Sequence, residues 1–204
     1  MRVARILALS LLVASAAEAT PLTARLADGP GNTGGGEFYM TLYDNGNPVD
    51  TFITFCLQKT QYIDFSTTFT VQVSTAADDS PADPIDAQTA WLYSMARAGT
   101  LAGYDHSQAA ANALQKSIWY FEGEVSANPD LEAGNNYDFV ALANAAVANG
   151  YSGIGNVRVA NMFFPDGRKA QDQLMLVRTP EPSTIALFGL GAVFAGMRRK
   201  RAAR

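Results

Sequence analysis

Thirteen consecutive uncharged residues, Ile185 to Met197, run into Arg198, Arg199, Lys200 and Arg201, and this block decides how the rest of the chain is placed. As a helix rising ~1.5 Å per residue it is roughly 20 Å long, against a hydrocarbon core of ~30 Å. Such a span holds a precursor only marginally, and Gly189, Gly191 and Gly196 loosen it further. The four cations, with Arg204, keep their side cytoplasmic by the positive-inside bias, so the remainder faces outward. The other end agrees. Arg2 and Arg5, the apolar stretch Ile6 to Ala14 and the small-residue site Ala17-Glu18-Ala19 predict a cleaved secretory signal peptide over residues 1–19. About 160 residues lie between the two ends, enough for one domain with a sizeable core.

Pro180-Glu181-Pro182-Ser183 stands just before the apolar run. A Pro-Glu-Pro element, a short apolar helix and a basic stop, together residues 180–204, resemble the carboxy-terminal sorting signal of PEP-CTERM proteins. The resemblance implies export through the inner membrane of a Gram-negative bacterium and transient anchoring there. It also implies cutting near Pro180, Glu181 and Pro182 by an exosortase, a membrane transpeptidase-like enzyme, and an end point at the cell surface or in extracellular matrix.

Without its ends the chain is strongly acidic. Residues 20–180 hold eight Lys and Arg against 17 Asp and Glu, a balance of about minus nine. Such a surface repels phosphate backbones, and no basic stripe interrupts it, which excludes nucleic-acid binding.

The pattern along the chain predicts an α+β domain over residues 37–179. Residues 20–36, with Gly34-Gly35-Gly36, read as a flexible lead-in because of their glycine content. Glu37 to Tyr43 and Val49 to Leu57 flank Asn45-Gly46, a strong hairpin signal, and Tyr62 to Ser74 continues the sheet. Asp83 and Pro84 then open a helix that Gly99 ends, Asp105 or Ser107 caps a second, and Tyr137 to Asn149 forms a third. Strands resume at Val157 to Phe164 and Gln173 to Arg178 around a Pro165-Asp166-Gly167 turn. An antiparallel sheet, sandwich or barrel core with a helical insert follows.

Cys56 is the single cysteine of a chain bound for an oxidising exterior, so it is either buried or used. Period two places Phe52, Thr54 and Cys56 on one strand face and Ile53, Phe55 and Leu57 on the other. On the second helix Ala110, Ala111, Leu114, Ile118 and Phe121 form the apolar stripe, with Gln115 and Trp119 beside it one turn apart.

Phe55-Cys56-Leu57 on a strand, followed by Leu114-Gln115-Lys116-Ser117-Ile118-Trp119, is similar to the paired signature of bacterial thioester domains, over roughly residues 37–125. The resemblance implies an internal thioester between Cys56 and Gln115 that acylates an amine or hydroxyl on a surface or matrix molecule, an adhesin-like, single-turnover covalent binding rather than enzymatic turnover. Thiol attack on a carboxamide with loss of ammonia stores the carbonyl as a more reactive acyl group. Water must be kept from it, and Trp119 is the expected shield. Leu114, where the family often carries a small or hydroxylated residue, and the neighbouring amine of Lys116 depart from the pattern.

Other readings stay open beside this one. Cys56 and His106 form a possible hydrolase pair, although His106 suits an exposed cap or loop better. Asp78, Asp79, Asp83 and Asp86 crowd one linker without the spacing of a calcium loop, and no Cys or His cluster offers metal ligands, so neither metal nor cofactor is expected. Phe38, Tyr39, Tyr43, Tyr62, Phe65 and Phe69 pave a sugar-binding face or serve as core. The alternative to covalent binding is a non-catalytic structural or carbohydrate-associated matrix protein with an inert, buried Cys56.

Overall fold

A computed structural model describes residues 21–177. The expected signal peptide, the sorting motif at Pro180–Pro182, the expected short apolar helix and the basic stop lie outside them. The core is barrel-like, with three helices beside it. Its strands are β1 (Leu22–Asp28), β2 (Phe38–Asp44), β3 (Asn47–Thr54), β4 (Phe69–Ser74), β7 (Val157–Phe163) and β8 (Gln173–Leu176), and a two-stranded ribbon joins β5 (Ala76–Ala77) to β6 (Asp83–Pro84). The helices are α1 (Ala87–Arg97), α2 (Gln108–Phe121) and α3 (Phe139–Ala148). All neighbours in the six-stranded order β3-β2-β1-β4-β7-β8 are antiparallel.

The two edges of that order meet. Beyond the end of β3, Cys56 bridges Gln173 on β8. On either side the Leu174 N–H donates to the Phe55 carbonyl and the Leu57 N–H to the Asp172 carbonyl, both at 3.0 Å. This short ladder joins the two edges of the sheet at the end of β3 and gives the core its barrel-like form. Cys56 lies in the middle of the seam.

Strand alternation sorts the buried side chains into two groups. Ala24 and Leu26, Met40, Phe52, Phe69 and Val71, Ala160 and Met162, Met175 and Cys56 pack together on one face. Phe55, Leu57, Val157, Val159 and Leu174, the intervening positions, pack against Leu92, Tyr93, Leu114, Ile118 and Phe139 of the helices. Each large side chain fully buried in this way contributes about 1.5–3 kcal/mol relative to exposure. Tyr93 ties α1 to the sheet as well, its hydroxyl donating to the Ile53 carbonyl at 2.9 Å.

Several boundaries differ from the sequence expectation. The lead-in is not flexible: Leu22–Asp28 is β1, paired with β2 on one side and β4 on the other. Leu22, Ala24 and Leu26 alternate with Thr23 and Arg25, a strand pattern that the glycines downstream obscured. The first helix begins at Ala87, because Asp83 and Pro84 pair with Ala76 and Ala77 and the Ile85 N–H donates to the Thr75 carbonyl. Tyr62 to Ser74 is a strand only from Phe69, since the Asp64 carboxylate gathers the Ser66 N–H and the Ser66 and Thr67 hydroxyls into a turn. The hairpin at Asn45-Gly46 is as expected, with φ of 50° and 76° matching the tight two-residue turn.

Candidate functional site

Cys56 and Gln115 are brought together. Ser107 caps α2, its hydroxyl accepting the Ala110 N–H at 3.2 Å, and the helix then buries Ala110, Ala111, Leu114 and Ile118. That orientation carries Gln115 to the barrel seam, where both it and Cys56 are wholly buried. The Gln115 carboxamide is clasped by the backbone of Cys56: Oε1 accepts the Cys56 N–H at 2.9 Å, and Nε2 donates to the Cys56 carbonyl at 2.8 Å. A second backbone donor, the Gly36 N–H, reaches the same Oε1 at 2.9 Å. These partners fix which end of the amide is oxygen.

Two N–H groups on one carbonyl oxygen polarise its carbon, and they are the arrangement that stabilises negative charge when a nucleophile adds there. The sulfur has partners of its own. Cys56 Sγ donates to Gln171 Oε1 at 2.8 Å and accepts from Gln173 Nε2 at 3.3 Å, and Gln171 Nε2 is held by the Gln58 carbonyl at 2.6 Å. Burial pushes the thiol up to about 12, opposed by the hydrogen bonds from Gln173 and the Gly36 backbone. The sulfur is thus a buried thiol held between two glutamines, Gln171 and Gln173, while the third, Gln115, holds the backbone of the same residue.

The glycine-rich segment closes the site. A Cβ on Gly35 would stand 2.6 Å from the Trp119 ring and 2.9 Å from Gln115 Cδ, and one on Gly36 would stand 2.7 Å from the Thr54 carbonyl oxygen. Close approach, rather than flexibility, is what these glycines provide. Trp119 is buried with Cys56 in the same group, and its indole N–H has no hydrogen-bond partner among the described residues. Such an orphan costs about 1–3 kcal/mol.

His106 is placed elsewhere. Its Nδ1 lies 2.9 Å from Oε2 of the buried Glu37, which also receives the Tyr104 hydroxyl, so its partner is a carboxylate and not Cys56. The acidic linker is dispersed too: Asp78 pairs with Lys169 at 3.0 Å, and Asp79 accepts from Gln58 and Gln61. Among the described residues no group of three or more His, Cys, Asp or Glu is arranged to hold a metal ion. The aromatic set divides, with Phe38 and Phe69 in the core and Tyr39, Tyr62 and Phe65 exposed. Sequence reasoning missed Gln171, Gln173, Gly35 and Gly36. Gln171-Asp172-Gln173 before an apolar strand was the available sign, a polar run at a position that turns out to be buried.

The described residues form an α+β domain with a barrel-like core and a buried junction between Cys56 and Gln115. Residues 178–201 match the PEP-CTERM protein-sorting motif, which marks an exported precursor, anchored in a membrane and processed by an exosortase-like enzyme for the cell surface. No curated protein and no solved structure matches the chain. None of the described helices is long and apolar enough to cross a membrane.

Proposed function

We propose that the sorted protein binds a surface or matrix molecule covalently through an internal thioester between Cys56 and Gln115. The observation that carries this reading is the clasp of the Gln115 carboxamide on the Cys56 backbone, with the Gly36 and Cys56 N–H groups on its oxygen. In the bond-forming step sulfur adds to Gln115 Cδ, the oxyanion rests on those two N–H groups, the Cδ–N bond breaks and the thiol proton leaves with nitrogen as ammonia. Because the proton passes to the leaving group, no free thiolate is required of a thiol held near 12. A target amine or hydroxyl then takes the acyl group at Cδ, and the Cys56 thiol is regained. The Gly35 backbone and the Trp119 ring lie over the junction and keep bulk water from it.

The inert reading has its own support, since a fully buried, protonated thiol is what a core cysteine looks like. The two separate on the cells themselves. Covalent binding leaves part of the wild-type protein in denaturant-resistant high-mass species that Cys56→Ala and Gln115→Ala abolish. An inert Cys56 makes all three proteins extract alike.

A further inference from the structure

The exposed aromatic residues have no part in the junction, yet two of them line a groove beside it. A groove of about 360 Å3 runs between the Gly31–Gly35 segment and the turn at residues 62–65. Tyr62 and Phe65 line it, 78% and 46% exposed, and Phe38 holds the Phe65 ring edge-on at 5.4 Å. Two other lining residues touch the reacting groups directly: Gly35 packs on Gln115 Cδ, and Gln171 accepts the Cys56 S–H. The Gln171 N–H also donates to the Tyr62 carbonyl at 3.2 Å, so the aromatic turn is tied to the residue that holds the sulfur. A larger groove is lined by Trp119 with Lys59, Lys116, Glu124 and Glu132, a charged lining without exposed rings; Cys56 and Gln115 line neither groove, and only the first is lined by Gly35 and Gln171.

We propose that the Tyr62–Phe65 groove binds a neutral polysaccharide and presents one of its hydroxyls to Gln115, so that the acceptor of the acyl group is a sugar. This rests on the thioester reading for its covalent step only. Two exposed rings three residues apart along an open groove suit the flat apolar face of successive sugar units. Asp28 and the backbone of the Gly31–Gly35 segment supply hydrogen-bonding groups along the opposite wall. Among the described residues Asp28 is the only charged side chain that lines the groove, and residues 20–180 carry about nine excess negative charges, which disfavours an anionic polymer. In the transfer the hydroxyl oxygen bonds to Gln115 Cδ, the Cδ–Sγ bond breaks, and the hydroxyl proton goes to sulfur, leaving an ester and a free Cys56 thiol.

The test uses protein recovered from the exterior of its own cells, with Cys56→Ala so that binding is read without acylation. Neutral gluco-, galacto- and manno-oligosaccharides, an anionic alginate and acetyl-lysine amide are titrated in parallel. At least one neutral oligosaccharide should bind, and Tyr62→Ala, a change at an exposed ring, should weaken it about tenfold, as truncating an interface aromatic does. Lys116→Ala, in the other groove, should leave it unchanged. Binding of the lysine amide or alginate alone, no binding, or binding indifferent to Tyr62→Ala overturns the proposal. The thioester is read separately, as a sugar-sized mass increment on wild-type protein; glycan binding without that increment sinks the covalent step and leaves the groove assignment standing.

Discussion

The carboxamide of Gln115 and the peptide backbone of Cys56 exchange two hydrogen bonds, 2.9 Å from N–H to Oε1 and 2.8 Å from Nε2 to the carbonyl, across 59 residues of chain. One helix and one barrel seam are thereby fixed to each other at the position where the only thiol sits. Gln115 thus acts in packing as well as in the proposed chemistry, and the two roles separate by mutation.

Gln115→Ala leaves the Cys56 and Gly36 N–H groups and the Cys56 carbonyl buried without that partner, each at about 1–3 kcal/mol. Urea unfolding should show a lower midpoint than wild type. Cys56→Ala, which keeps all three hydrogen bonds to Gln115, should show a smaller loss.

Gly35→Ala puts a methyl group 2.6 Å from the Trp119 ring and 2.9 Å from Gln115 Cδ. Overpacking of this kind costs about 1–3 kcal/mol. The expected outcome is a lowered Tm together with faster hydrolysis of the thioester, read by mass over time in buffer.

His106→Ala removes one of two partners of the buried Glu37 carboxylate. Stability should fall by about 1 kcal/mol, since the buried carboxylate loses a hydrogen bond that water entering at the half-exposed His106 position replaces in part. The ammonia deficit in the intact mass should persist, because His106 does not touch the junction.

Glu122 gives the fold a pH dependence. Burial raises its carboxyl from 4.5 to about 7, so between those values the folded chain binds more protons than the unfolded one. Stability is fully present below pH 4.5 and declines as pH rises toward 7, by a contribution of about 3 kcal/mol. Burial also raises Asp172, Asp83 and Asp86, which add in the same direction. Denaturation midpoints measured from pH 4 to 8 should fall, and Glu122→Gln should flatten the decline.

Much of this was legible in residue order. Asn45-Gly46 gave the hairpin, the Ala110, Leu114 and Ile118 spacing gave α2, and Ser107 capped it as expected. Local patterns report local structure, and those elements are decided by neighbours within a turn or two. Gly34-Gly35-Gly36 misled because glycine composition cannot distinguish a loose segment from one pressed against a tryptophan and a glutamine. Gln171 and Gln173 were invisible for a related reason: they become sulfur ligands only when β8 closes on the end of β3, a contact between residues more than a hundred positions apart.

The intact mass of protein recovered from the cell exterior, before and after methylamine, bears most directly on the Cys56–Gln115 bond. The expected result is a mass one ammonia below that of the processed sequence, no thiol available to alkylation even in denaturant, and, after methylamine, one added amine with one alkylatable thiol. A full sequence mass with a thiol that alkylates on simple unfolding contradicts it.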